Sequence, residues 1–430
     1  MPAAVAAAEG PLPEFSPWLA AAERPDPISL LTQQEQRHLS WLIPERHRCM
    51  AEGPLAYFRG SAVVMAWDLA VAPHSGVEVQ LCGDAQLLNF AFLNGVDGRL
   101  IFDIHAFDAC CRGPFEWDLK RLVCSLVLAA RSLQLPEACQ EQLARHGTRS
   151  YRRTMRRLAK RSRLKVWFER RDPEARIRRL PDQPLRRQLL ALTGALNERD
   201  SRRRWRGLCE SGPDGRLRFR HDPPLLWRHG ELAKPIGPSG EDGPSIEEAF
   251  ATYRANLPPH GRAFLSGYRI SDSAIQAVGL GSVSSHRTIV LLQGSRPDDV
   301  LLLECQQAET CQADGQRLMQ GGMDPLLGWS GDGQRDPLIW RQFRTGRGVV
   351  QISQLDADGL DRYGRLCAGT LARAHARSGD RCAVAAHMAG GKAFDRAMAS
   401  WALAYADQAT RDYQRLLEAI ATGRISSSPA

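Results

Sequence analysis

Two stretches of this sequence decide which fold to expect: LCGDAQLLNFAFLNGVDGRLIFD at residues 81–103 and AVGLGSVSSHRTIVLLQGSRPDDVLLLECQ at residues 277–306. The first stretch places Asp84 and Asn89 in a loop and Asp103 at the end of a strand-like run. The second places a glycine-rich turn between two strand-like runs and follows them with a third. One stretch therefore supplies carboxylate and amide oxygens, and the other supplies exposed backbone N–H groups.

The oxygen-bearing side chains of the first stretch suit phosphoryl transfer. That reaction needs one carboxylate to orient or deprotonate the acceptor, and oxygen ligands to hold Mg²⁺ against the phosphates. We assign the first role to Asp84, as the catalytic residue, and predict Asn89 and Asp103 as the metal ligands. The competing interpretation is structural, with Asp84 in a Gly-Asp turn, Asn89 as a helix cap and Asp103 as a loop acid.

The glycine-rich turn suits a phosphate-binding loop. Glycines let backbone N–H groups approach phosphate oxygens closely, so we predict Gly279, Gly281 and Ser282 as phosphate contacts. The third strand should then carry a lysine that pairs with the nucleotide phosphates. Gln306 occupies that position and has no charge, so a large electrostatic contribution is lost. Arg287, just after the turn, is the candidate substitute, and its alternative role is that of a solvated strand residue.

The composition is that of an ordinary globular chain of one or two domains. Of 430 residues, 43% are hydrophobic and 24% are charged, and the formal net charge is +9. No apolar run approaches the roughly 18 residues of a membrane span, and the alanine-rich start lacks the features of a secretion signal. The eleven cysteines form no metal or disulfide pattern. We therefore expect a cytoplasmic protein with reduced cysteines and no membrane partner.

Arginine is concentrated in residues 140–207, which raises nucleic-acid binding as a further hypothesis. Phosphate contacts from many arginines would give an affinity that falls with salt. Acidic residues, such as Glu169, Asp172 and Glu174, interrupt the run. Leucine and methionine at helical spacing favour amphipathic helices with a solvated basic face. Nucleic acid is therefore the less favoured partner.

The order of the predicted elements indicates an α+β fold with two lobes. Residues 1–33 should form a loose lead-in, and residues 34–245 a helical lobe that holds the acidic stretch and the arginine-rich helices. Residues 246–345 should form a smaller lobe with the glycine-rich turn and an antiparallel sheet, and residues 346–430 the C-terminal helices. Within the helical lobe, the Gly- and Pro-rich residues 211–245 are typical of a linker.

Apolar residues at helical spacing predict the helices, and short apolar runs bounded by turns predict the strands. The predicted helices span residues 117–133, 246–265, 312–320, 360–378 and 393–422. The predicted strands span residues 274–279, 286–293 and 299–306. We interpret His375, within LARAHARSGD, as a hydrogen-bonded histidine on a packing helix; the alternative is a functional-site residue.

The acidic stretch resembles that of small-molecule kinases of the aminoglycoside phosphotransferase type. In those proteins a GD-x-x-x-x-N loop precedes an ID strand end and a P-x-x-W/Y-D-L helix, and GDAQLLN, FD and PFEWDL follow one another in this order here. From about Arg46 to about Asp412, the chain also resembles the bacterial family called domain of unknown function 2252. That likeness rests on stretches such as PLAYFRGSAVVMAWDLA, LKVWF, WRQF and GTLARAHARSGD.

These resemblances imply a protein-kinase-like fold of two lobes in which the catalytic loop precedes the glycine loop, as in a circular permutation. They also imply ATP and Mg²⁺ as cofactors, with a nucleotide and an unidentified acceptor as partners. The chain departs from the family pattern at several polar positions: Gln86, His105, Ala106, Ala109, Ser284 and Gln306. Two main hypotheses follow, an ATP-dependent phosphotransferase and a catalytically degenerate, pseudokinase-type protein that binds a ligand and acts through partners.

Overall fold

The computed structural model of this chain contains a helical group of elements and a group built on an antiparallel sheet. The structure describes residues 16–36, 40–94, 100–169, 173–181, 184–197, 205–213, 215–223, 226–232, 244–276, 287–296, 298–307, 311–322, 324–331, 337–343 and 348–428. Helices α1 to α16 span, in order, Pro27–Glu35, Ile43–Met50, Pro54–Gly60, Ala62–Ala70, Phe115–Ser132, Glu137–Ala159, Arg163–Trp167, Pro173–Arg178, Pro184–Asn197, Trp205–Leu208, Ile246–Asn256, Pro259–Leu265, Cys311–Met319, Ala357–Ser378, Arg381–His387 and Lys392–Ala421. Strands β1 to β12 span, in order, Glu78–Leu81, Phe90–Asn94, Leu100–Ile104, Cys111–Pro114, Cys209–Ser211, Leu217–Phe219, Leu226–Arg228, Arg269–Gln276, Arg287–Gln293, Val300–Gln307, Gly328–Ser330 and Leu338–Gln342.

The helical group packs around α5, which is buried along nearly its whole length. Helices α6, α14 and α16 contact it and bury apolar residues that recur at helical spacing. Glu116 and Asp118 lie in the first turn of α5, where the positive end of the helix dipole favours carboxylates. Helix α14 is capped by Asp356, whose carboxylate accepts from Gly359 N at 2.7 Å.

Six strands form one antiparallel sheet in the order β11-β12-β10-β9-β8-β7. One face of the sheet packs on α11, where the rings of Tyr253 and Trp340 stack with centroids 5.0 Å apart. Side chains alternate along a strand, so Leu303 and Cys305 of β10 join this core. Glu304 and Gln306, which are two residues apart on β10, face the opposite side of the sheet.

Two short antiparallel pairs, β1 with β4 and β2 with β3, connect the helical group to the sheet. Gln320 Nε2, just after α13, donates to the carbonyl oxygen of Ile104 in β3 at 2.9 Å. The backbone N–H of Gly321 donates to the carboxylate of Asp103 at 2.7 Å. The segment that follows α13 therefore holds the end of the acidic stretch against the sheet group.

Most of the predicted elements are confirmed, and the mixed architecture confirms the α+β class. Helices α5, α13, α14 and α16 and strands β9 and β10 agree with the prediction to within a few residues, and β8 begins earlier than predicted. The predicted helix at 246–265 is two helices, because the chain turns at Pro258, the residue that precedes α12. The predicted linker at 211–245 contains β7, in which Leu226 pairs with Gln276 of β8.

The predicted lead-in at residues 1–33 contains the first part of α1. Ile28 and Leu31 of this helix are buried against residues of α16, including Leu416. Residues 1–15 lie outside the described part of the chain. Within the described ranges, no helix combines the length and the apolarity that crossing a membrane would require.

Candidate functional site

Asp84 follows β1 in a turn that requires glycine at the preceding position. Gly83 has a φ of 78°, and a Cβ there would lie 1.9 Å from the carbonyl oxygen of Ala109. The backbone N–H groups of Cys82 and Gly83 donate to the two carboxylate oxygens of Asp118 at 2.8 and 3.0 Å. The first turn of α5 therefore holds the Asp84 turn in place.

Asp118 is in turn held by a fully buried histidine of α14. His375 Nε2 lies 3.1 Å from Asp118 Oδ2, and His375 Nδ1 lies 2.7 Å from the hydroxyl of Tyr151. Burial raises the pKa of Tyr151, so the hydroxyl keeps its proton. In the tautomer in which this hydroxyl donates to Nδ1, Nε2 carries the proton that Asp118 accepts. The interpretation of His375 as a hydrogen-bonded packing residue is confirmed, and it supports the Asp84 turn from behind.

The carboxylate of Asp84 is the most accessible of the predicted site residues that the structure describes. Its side chain is 24% exposed, and its Oδ1 accepts from Arg121 Nε at 2.8 Å. Arg121 also donates to the carbonyl oxygen of Phe58 at 2.7 Å, which holds the guanidinium in one orientation. Arg59 lies nearby: burial lowers the pKa of its guanidinium, and the charge of Asp84 acts in the opposite direction.

Asn89, a predicted metal ligand, connects two backbone segments. Its Nδ2 donates to the carbonyl oxygens of Asp84 and Ala106 at 2.7 and 3.0 Å, and its Oδ1 accepts from Ala106 N at 2.8 Å. Both amide protons are therefore used, and the amide oxygen has one backbone donor. Asn89 fixes the distance between the Asp84 turn and the segment that follows β3.

Asp103, the other predicted metal ligand, is fully buried and ion-paired. Its Oδ1 lies 2.8 Å from Arg373 Nη2 of α14. The same oxygen accepts from Ile104 N at 3.0 Å, and Oδ2 accepts from Gly321 N at 2.7 Å. One guanidinium and two backbone N–H groups therefore surround this carboxylate.

Gln306, at the predicted lysine position, contacts the acidic stretch directly. Its Nε2 donates to Asp108 Oδ1 at 2.7 Å, while its buried Oε1 has no hydrogen-bond partner in the described part of the chain. This contact brings the third strand of the second stretch, β10, against the segment after β3. The three predicted phosphate contacts, Gly279, Gly281 and Ser282, lie outside the described residues, so their predicted role stays a prediction.

Arg287 and Glu304 form a buried charged cluster with Arg341 on the same side of the sheet. Arg287 Nη1 lies 3.6 Å from Glu304 Oε2, and Arg341 Nε donates to Glu304 Oε1. Arg341 Nη1 also donates to Gln316 of α13 at 3.1 Å. Arg287 is only 3% exposed, so its interpretation as a solvated strand residue is wrong. A cavity of about 20 Å³ beside this cluster offers room for about one water molecule.

The sequence predicted a shared site, and the structure brings several of its members together. Asp84 and Asn89 are connected by a hydrogen bond, and Gln306 reaches Asp108 from β10. Within the described residues, no group of three or more His, Cys, Asp or Glu side chains is arranged to hold a metal ion. As they stand, Asn89 and the ion-paired Asp103 do not fit a magnesium site.

The model of a family described as "Uncharacterized protein conserved in bacteria (DUF2252)" matches residues 38–419 of this chain. The chain belongs to this family. The match includes both stretches from which the fold was predicted, and it confirms the resemblance to domain of unknown function 2252. No curated protein and no solved structure matches the chain.

The arginine-rich region of this DUF2252 protein is partly neutralised by ion pairs. Arg152 of α6 forms a buried, two-pronged pair with Asp395 of α16, at 2.8 and 2.7 Å. Arg157 and Arg161 both contact Glu169, at 2.6 and 2.9 Å. Several of these arginines are therefore held by carboxylates, and Glu169, one of the acidic residues that interrupt the run, is the partner of two of them.

Sequence reasoning identified His375 but missed its partners and the other positioning residues of this candidate site. The helices that carry Tyr151, Arg373 and His375 are distant from Asp84 along the chain. The pair of Glu304 with Arg341 joins two neighbouring strands, β10 and β12. One signal was present: arginine and histidine recur at i and i+2 in LARAHARSGD, and the residues before and between them, CAGTLARAHA, are mostly small or apolar. Charged residues in such a buried helix indicate partners in the core.

Proposed function

We propose that this DUF2252 protein is a kinase-like binding protein of the pseudokinase type, which takes up a ligand between its sheet and the 84–108 segment and acts without transferring phosphate. A nucleotide is the ligand class that the two stretches favour. The observation that carries the proposal is the ion pair between Asp103 and Arg373, because it neutralises the carboxylate that magnesium would need.

The order of elements supports the kinase-like part of the proposal. A kinase small lobe has a glycine loop between its first two strands, a lysine on the third strand and then a helix whose glutamate pairs with that lysine. Here β8, residues 277–286, β9, β10 and α13 follow one another in the same order, and β8, β9 and β10 are antiparallel neighbours. The acidic segment contacts this unit through Gln306.

The charges between the sheet and the 84–108 segment support the second half of the proposal, that the protein is of the pseudokinase type. Gln306 stands where the lysine is expected and bonds to Asp108. On the helix, Gln316 faces Arg341 and provides no carboxylate. The buried ion pair of this region runs instead between Glu304 on the third strand and Arg341 on β12, with the negative charge on the strand that should carry the positive one. This arrangement of charges repels a phosphate from Glu304 and attracts it only towards Arg287 and Arg341.

The cost of freeing Asp103 supports the same conclusion. Removing one partner from a buried ion pair costs about 3–5 kcal/mol. A magnesium ion could bind Asp103 only if the guanidinium of Arg373 moved away. Arg373 is a buried residue of α14, so its side chain has little room to move. Ligand binding that does not require a metal avoids this cost.

The test is a thermal-shift measurement with ATP in the presence of either Mg²⁺ or a chelator, together with an assay of ADP release. We expect ATP to raise the melting temperature equally in both conditions, with no ADP release above the buffer rate. Magnesium-dependent ADP release that Asp103→Asn abolishes would contradict the proposal. Asp395→Asn is the matched control, because it also breaks a buried pair with an arginine, Arg152, in the α6–α16 contact.

A phosphotransferase is the second candidate, and one observation favours it. Asp84 is partly exposed and oriented by Arg121, as a residue that accepts a proton from an acceptor hydroxyl would need to be. The same ADP-release assay decides between the two candidates. Turnover that is lost in Asp84→Asn, while the melting temperature is retained, would establish the phosphotransferase.

A further inference from the structure

A second cavity, away from Gln306, lies in the helical group between α8, α9, α14 and the β2–β3 pair. Its volume is about 110 Å³. The walls are mostly apolar and are formed chiefly by the side chains of Phe92, Phe102, Ile177, Leu185, Leu189 and Leu366. The cavity is open at the side where Arg362 and Leu366 are only half-buried, and a concave apolar surface with a few polar groups is the usual form of a small-molecule site.

The polar end of this cavity is formed by Thr370 and Arg373 of α14. The side chain of Arg373 is only 7% exposed. Its Nη2 lies 2.8 Å from Asp103 Oδ1 as an ion pair, and both Nε and Nη2 are buried and have no hydrogen-bond partner in the part of the chain that the structure describes. An unpaired donor on a buried cation is costly unless a ligand completes it.

The unused N–H donor of Arg373, and not an excess of positive charge, leaves room for an anion at this end, since Asp103 already offsets the charge of Arg373. Asp103 does not depend on Arg373 alone, because Ile104 N and Gly321 N also donate to it. A guanidinium has five N–H donors in a fixed plane, which suits a carboxylate. Arg362 lines the same cavity and adds a second positive charge, although Asp358 partly offsets it at 2.9 Å.

We propose that this cavity binds a small aliphatic or aromatic monocarboxylic acid, whose carboxylate accepts from Arg373 Nε and Thr370 Oγ1 and whose apolar body fills the space between α8, α9 and the β2–β3 pair. The size sets the body: a cavity of about 150 Å³ accommodates benzene, so about 110 Å³ suits four to six carbons. The volume and the apolar walls do not suit a phosphate or a nucleotide. The inference does not rest on the proposed nucleotide binding.

The probe is hexanoate, titrated into the full chain by calorimetry. Acetate has the same charge without the apolar body, and hexanamide has the body without the charge. We expect hexanoate to bind and each of the two analogues to bind at least about tenfold more weakly, since losing either the apolar contact or a charge-assisted hydrogen bond costs more than about 1.4 kcal/mol, which is tenfold. Equal binding of acetate and hexanoate would overturn the proposal, because a surface cation would explain it.

Two tryptophan variants locate the site. Leu366 lines the cavity and is only partly buried, so Leu366→Trp fills the space from its edge. Leu190 lies on α9 beside the cavity residue Leu189, but its side chain is 45% exposed, so Leu190→Trp is the matched control. We expect Leu366→Trp to weaken hexanoate binding at least about tenfold and Leu190→Trp to change it less than about twofold. Equal affinities in the two variants, or no binding of hexanoate to the unmodified chain, would overturn the proposal.

Arg373→Lys tests the polar end. Lysine keeps the positive charge but has no Nε donor in the plane of a carboxylate. We expect hexanoate binding to weaken while the binding of hexanamide stays unchanged. Circular dichroism and the melting temperature establish whether the variant is folded, and if it is not, the two tryptophan variants decide the question. Unchanged hexanoate affinity in folded Arg373→Lys would overturn the assignment of the carboxylate to this residue.

Discussion

Asp118 and Asp103 are two buried carboxylates with similar surroundings, but their partners on α14 differ in charge and in unused hydrogen-bond donors. Each accepts two backbone N–H groups, from Cys82 and Gly83 in the first case and from Ile104 and Gly321 in the second. Each also contacts one side chain of α14. For Asp118 that partner is a histidine that is neutral when Tyr151 donates to it, and for Asp103 it is an arginine that is always charged.

The difference lies in what remains unused. Both ring nitrogens of His375 have partners, so the network that begins at Asp118 ends at Tyr151 within the core. Among the described residues, Arg373 has a buried Nε without a hydrogen-bond partner, beside an apolar cavity. The first network positions the Asp84 turn and is complete, whereas the second is complete only when a further acceptor is bound. Similar carboxylates thus provide a structural support in one place and a candidate ligand site in the other.

The largest effect is expected when the permanently charged pair is broken. Asp103→Ala leaves the guanidinium of Arg373 buried without its counter-charge, so we expect the free energy of unfolding to fall by about 3–5 kcal/mol. Urea denaturation measures it. The double variant Asp103→Ala/Arg373→Leu should recover the part of the loss that comes from the unpaired guanidinium, but not the part that comes from the N–H groups of Ile104 and Gly321, which stay without their acceptor. A double variant no more stable than Asp103→Ala would contradict this account.

A smaller loss is expected at the pair of Asp118 with His375. Asp118→Ala leaves the N–H groups of Cys82 and Gly83 without their acceptor, at about 1–3 kcal/mol for a buried unsatisfied group. Gly83 is only half-buried, so water can replace part of its lost acceptor, and we expect about 2–3 kcal/mol in total for the two groups. Amide hydrogen exchange at residues 82 and 83 should become faster. In contrast to the first pair, adding His375→Leu should recover little, because the backbone donors stay unsatisfied; a full recovery would refute the proposed support of the turn.

The smallest of the three effects is expected in the turn itself. Gly83→Ala forces an alanine into the left-handed conformation and brings its Cβ against the carbonyl oxygen of Ala109. We therefore expect the free energy of unfolding to fall by about 2 kcal/mol. Gly76→Ala is the matched control, because φ at Gly76 is also positive, 68°, but nothing lies within 4 Å of the added Cβ. It should cost about 1 kcal/mol. Equal losses in urea denaturation would show that the Ala109 contact relaxes without cost.

Several elements could be predicted because their signals are local. The apolar periodicity of 117–133 predicted α5, and the apolar runs at 286–293 and 299–306 predicted β9 and β10. Three-residue strands such as β7 were missed, because so short a segment shows no period. The break near Pro258 was visible in the sequence, since proline has no N–H to continue a helix, but apolar residues on both sides concealed it.

The candidate site was predicted only in part, for a different reason. The side chains in the 84–108 segment were identified by their types and spacing, and the contact of Gln306 with Asp108 brings the two stretches together. The partners of these side chains were not identified. Arg121 lies in the helix after the stretch, and Arg373 and Glu304 lie in segments that reach it only through packing. The residues around Asp103 in the sequence give no indication that a guanidinium from α14 neutralises it.

The sequence by itself determined which segments become helices and strands, where the acidic loop lies and that a lysine is missing from β10, because these depend on residue type and short-range spacing. The tertiary structure alone decided that Asp103 is paired with Arg373, that Asn89 connects two loops and that a cavity opens beside an unused Nε. Charge pairs and cavities form between residues that are distant along the chain, and only the packing of α14 against the β2–β3 pair places them within a few ångströms of one another.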